Sequence, residues 1–145
     1  MKKDIAAQEA KILKHLQSIQ KHLGLSVEVT LVPDFDWEGI VACLKDNQTF
    51  DNKTGQVWER SLGYLSKNIE KLSKDEMSRE AVVALWTTGQ IRLIFCPDAR
   101  EKLNWKASPS PKSWDERFVD GVLEITCIKP TLAEDQIGKW IESHL

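Results

Sequence analysis

The chain is poor in the residues that build most recognisable active sites. It has three cysteines and three histidines among 145 residues. Cys43, Cys96 and Cys127 lie far apart, each beside apolar neighbours. An odd count without paired spacing argues against a disulfide framework and fits a reducing compartment, so three free, buried thiols are expected. No Cys-x-x-Cys or His-x-x-x-His spacing occurs, so no local zinc-ligand set is present and no metal or cofactor is expected. His15, His22 and His144 fall on expected amphipathic helices, as surface or boundary residues and not as general bases. The seven glycines form neither G-x-G-x-x-G nor G-x-x-x-x-G-K, the patterns that cradle phosphate at a helix start.

Long hydrophobic runs are also missing. No stretch would span a bilayer, and none follows Met1–Lys2–Lys3–Asp4–Ile5, so neither a membrane span nor a secretory leader is expected. A cytoplasmic protein follows as the expectation. The sequons at Asn47 and Asn52 then read as chance matches in a polar stretch. A net charge of −2 argues against a broad nucleic-acid-binding face.

What is present is ordinary globular composition, 41% apolar and 29% charged, in a length that suits one domain over 1–145. Ile5, Ile12, Leu16, Ile19 and Leu23 line one face of a first helix that ends near Gly24. Leu25, Val27, Val29 and Leu31 alternate with polar residues, which predicts a half-buried strand ended by Pro33. Asp34–Leu44 reads equally as a helix capped by Asp36 or as a strand over 40–44. Asp46–Gly55 reads as a loop, and Leu62, Leu65, Ile69 and Leu72 mark a helix over 57–72.

Residues 81–86 and 90–96 flank Thr88–Gly89 with β-branched and aromatic residues, which predicts a hairpin; the competing reading is a short helix from Ser78 to Gly89. Residues 107–113 read as a compact surface loop, and 122–128 as a strand entered from Asp120–Gly121. Thr131–Glu134 is a capping box that opens a last helix carrying Ala133, Ile137, Trp140, Ile141 and His144. The expected fold is α+β: a two-layer sandwich with a mostly antiparallel sheet and the N- and C-terminal helices packed on it.

One stretch, Asp34–Phe35–Asp36–Trp37–Glu38–Gly39, imitates the first half of a calcium loop, but Lys45 stands where the bidentate glutamate belongs. The same stretch reads better as a binding surface. Asp34, Asp36 and Glu38 alternate around Trp37, and Trp114–Asp115–Glu116 repeats the theme. Tryptophan beside carboxylates describes an interface anchor with steering charges. The chain thus resembles, in general character only, small inhibitors such as immunity proteins and antitoxins that neutralise a basic, nuclease-like toxin by direct binding. The expectation is a protein partner, no nucleic acid, no membrane and no catalysis. The alternatives are a small enzyme assembled from distant residues, with Asp or Glu at strand ends, Arg92 and one histidine as candidates, or a partner-specific chaperone or adaptor.

Overall fold

A computed structural model of the chain describes residues 2–34, 54–95 and 114–127, together with Ile137, Gly138, Ile141 and Leu145. The elements, in chain order, are α1 (Lys2–Leu23), β1 (Thr30–Asp34), α2 (Thr54–Ser73), α3 (Glu76–Leu85), β2 (Gln90–Phe95), β3 (Trp114–Val119) and β4 (Val122–Cys127). The architecture is an α+β mix around a four-stranded sheet of order β1-β2-β4-β3.

The core follows from the periodicities. Ile12, Leu16, Ile19 and Leu23 of α1 meet Trp58, Leu62, Leu65 and Ile69 of α2 in one buried cluster. The same cluster takes Ile91 and Leu93 from β2, Leu123 and Ile125 from β4, and Ile137 and Ile141 from the C-terminal segment. Lys11, Lys14 and Lys21 stay on the exposed side of α1. Where α1 ends, Gly24 N–H donates to Lys21 O and Leu25 N–H to Gln20 O, the paired bonds of a Schellman cap.

The sheet is mixed and not mostly antiparallel. β1 pairs with β2, and β2 with β4, in parallel; only β3 and β4 run antiparallel. The expected hairpin over 81–96 is the source of the difference. Asp75 caps a helix there instead, its carboxylate accepting from the backbone N–H of Ser78 at 3.1 Å and from the Ser78 hydroxyl. Val82 is buried beneath that helix, so the chain reaches β2 through a crossover and pairs in parallel.

Three further expectations change. Pairing starts only at Thr30, opposite Gln90, so Leu25 and Val29 are buried in the core without being in a strand. Pro33 does not end β1. The Thr30 N–H points inward to Gly89 O, so alternate residues Leu31 and Pro33 face the outer edge, where a missing donor breaks no ladder bond. Gly138 sits at φ +93°, so no continuous helix runs through the predicted last helix at that point. Cys43 and Cys96, the Asp36–Leu44 ambiguity, the calcium-like stretch past Asp34, both sequons and the 107–113 loop lie outside the described residues.

The Asp75 cap makes a pH-dependent prediction. The hydroxyl of Ser78, then its backbone N–H, hold the Asp75 carboxyl below the ordinary aspartate range. A folded value below the unfolded one means that the cap stabilises fully above the unfolded pKa, about 3.9, and is lost as pH falls through the folded value. Asp75→Ala should therefore lower the melting temperature at neutral pH, and the gap to wild type should close in acid. Thermal melts of both proteins across that range check this. A gap undiminished once the carboxyl is protonated would assign the effect elsewhere.

Candidate functional site at the carboxyl edge of the sheet

The two ends of this sheet differ in kind. β1, β2 and β4 run the same way, so Asp34, Phe95 and Cys127 end them at one edge, and β3 begins there with Trp114 opposite Cys127. The stretches 35–53, 96–113 and 128–136 all attach at this carboxyl edge. At the opposite edge the described residues form short reversals knitted to each other. Thr88 donates to Gly121 O through its backbone N–H (3.1 Å) and its hydroxyl (2.7 Å), and that hydroxyl accepts from Gln90 N–H. In α/β sheets with parallel strands, binding sites form outside the carboxyl ends, where connecting segments converge on a rigid frame.

Strand order brings the sequence-derived candidates to that edge. Asp34 pairs with Ile94, Ile94 with Thr126, and Thr126 with Asp115, so Asp34 and Asp115 close the two ends of one cross-strand row. Three strand spacings put their backbones roughly 14 Å apart. Asp36, Trp37 and Glu38 lie outside the described residues.

One candidate is removed from the surface. Glu116 is 2% exposed, its Oε1 accepting from Gly138 N–H at 2.8 Å. The reason is parity: successive strand residues face opposite sides, so Glu116 and Phe118 turn to the helices while Asp115 and Arg117 turn away. Trp114 opens β3, and its side chain lies outside what is described.

The face turned away from the helices carries charge that the sequence did not single out. One row behind the Asp34–Asp115 row stand Val32, Arg92, Glu124 and Arg117. Arg92 Nη1 donates to Glu124 Oε2 at 3.0 Å, and Arg117 Nε to Asp115 Oδ2 at 3.1 Å. Both arginines remain half exposed while their carboxylate partners are largely covered, Glu124 at 16% and Asp115 at 12% exposure, so Asp115 is held in place and neutralised by Arg117. Arg92 was legible as an outward residue from its place between Ile91 and Leu93; its partner Glu124 needed the register.

Two of the groups considered for an enzyme lie on opposite faces of the sheet. His15 lies between α1 and α2, with Nε2 2.9 Å from Glu59 Oε1, whereas Arg92 lies on the far side of the sheet. Among the described residues, no group of three or more histidine, cysteine, aspartate or glutamate side chains could hold a metal ion. Among them, too, no helix is long and apolar enough to cross a membrane. Comparison with protein-family models, curated proteins and solved structures finds no match for the chain.

Proposed function

We propose that the protein is a non-catalytic, cytoplasmic inhibitor that binds a protein partner at the carboxyl edge of its sheet, as an immunity protein or antitoxin binds a basic, nuclease-like toxin. The observation that supports this reading is that Asp34, with which the first acid-and-tryptophan stretch of the sequence opens, and Trp114–Asp115, some eighty positions on, stand at one edge of the sheet. Acids on such an edge steer a basic partner into encounter, and a tryptophan beside them supplies the anchor that slows its departure. At the opposite edge the Thr88–Gly121 hydrogen bond ties the entry of β2 to the turn between β3 and β4, which fixes the strands that carry Trp114 and Asp115.

A photo-crosslinking residue at position 36, and a control at position 120 on the opposite edge, test the proposal in the native host. Position 36 should capture a defined protein that position 120 does not, and the purified partner should lose its activity when the inhibitor is added. Charge reversal at Asp34, Asp36 and Glu38 together should slow association about tenfold at low salt, and the loss should shrink at high salt. Trp37→Ala should cost about 2 kcal/mol, mainly through faster dissociation. Full affinity in both variants, or equal capture from position 120, removes this edge as the interface.

A further inference from the structure

A cleft of about 490 Å³ lies between α1, the start of β1 and the first turns of α2. Ile12 and Leu16 of α1, Val29 and Leu31 before and within β1, and Trp58 of α2 form its apolar lining. Ile12, Leu16, Val29 and Trp58 are core residues, so the lining is anchored from behind. Leu13, 45% exposed, stands at the mouth.

Among the described residues the charged lining is of one sign. Glu9, one turn before Leu13 on α1, and Glu28, just before Val29, are both exposed carboxylates at the cleft. The described lining holds no lysine or arginine. The volume lies within the roughly 300–1,000 Å³ of small-ligand sites, which combine an apolar wall with a few convergent polar groups. An anion would meet two carboxylates. A neutral apolar molecule would use the wall and leave the acids unused. A molecule with an apolar body and an ammonium head uses both.

We propose that this cleft is a binding site for a small organic cation, a hydrophobic amine whose ring or short alkyl body lies against Ile12, Leu16 and Trp58 while its ammonium group lies between Glu9 and Glu28. The site shares no residue with the Asp34–Asp115 row, so it stands whether or not that edge binds a protein.

Calorimetric titration with 2-(1-naphthyl)ethylamine, its matching alcohol and the matching carboxylate tests the site. The amine should bind about tenfold more tightly than the alcohol, the value of one charge-assisted hydrogen bond, and the carboxylate should not bind. Methyl resonances of Ile12, Leu13 and Leu16 should shift with the amine. Glu9→Gln with Glu28→Gln should bring the amine down to the alcohol's affinity. Leu13→Lys, at an exposed position, should abolish amine binding while leaving the melting curve intact. Equal affinity for amine and alcohol, no binding of either, an unchanged affinity in the double variant, or shifts elsewhere would each overturn the proposal.

Discussion

Trp86→Ala should lower the stability of the fold by about 4 kcal/mol, within the usual range for a fully buried tryptophan. Trp86 is 0% exposed and belongs to three elements at once. Its backbone N–H closes α3 on Val82 O, its indole N–H donates to Gln90 O at 2.8 Å at the start of β2, and its ring lies tilted against Phe118 of β3, centroids 6.2 Å apart. Alanine keeps the first contact, opens a cavity in place of the ring and leaves the Gln90 carbonyl without that donor. Trp86→Phe keeps one ring but removes the indole N–H together with part of the buried volume, and should cost less than alanine, about 2 kcal/mol. Urea unfolding followed by circular dichroism reads both through the midpoint at constant slope. Equal losses for the two variants would show that the ring volume contributes nothing beyond the hydrogen bond.

Gly138→Ala should cost about 3 kcal/mol. Two independent penalties combine. At φ +93° a residue with a β-carbon is strained. That β-carbon would also stand 3.0 Å from Leu65 Cδ1 and 3.1 Å from Asn68 Cβ, with helix backbone behind them. The close approach lets the C-terminal segment be gripped from two sides: Glu116 accepts from Gly138 N–H, and Asn68 donates to Ile137 O at 2.6 Å. Glu116→Ala removes one grip from β3. If the two residues form one clamp, the double variant Glu116→Ala/Gly138→Ala should lose less than the sum of the single losses. Strict additivity would separate them.

The clamp shows why part of the fold was hidden in the sequence. Helices α1 and α2 were legible because Ile12, Leu16, Ile19 and Leu23, and Leu62, Leu65 and Ile69, repeat on one face. Residues 81–86 were misleading because Ala81–Val82–Val83–Ala84–Leu85–Trp86 is apolar enough for either structure. The deciding group, the Asp75–Ser78 cap, lies outside the run. β3 was missed although its signal was present. Asp120 and Gly121, at φ 51° and 79°, form the two-residue turn that an Asp-Gly pair between alternating strands announces. Reading 114–116 as one cluster of acids beside an aromatic obscured that alternation, and so put buried Glu116 beside outward Asp115.

The candidate site was legible only in composition. Nothing local to Asp34 points to Asp115, since their shared row depends on β2 and β4 lying between them. Strand order is a tertiary property, set by which faces find burial and not by any neighbouring residue.

The strand pairings also differ in the length of chain that each must close. β3 and β4 meet across the two-residue Asp120–Gly121 turn. β2 reaches β4 across thirty-two positions, Ile91 to Leu123, and β1 reaches β2 across sixty, Thr30 to Gln90. Closure entropy grows with loop length, so of these three pairings β1–β2 carries the largest closure cost and the β3–β4 hairpin the smallest. β1 is also an outermost strand of the sheet, held by one neighbour. The two sides of the proposed interface therefore rest on the most distant and the most local pairings of the sheet.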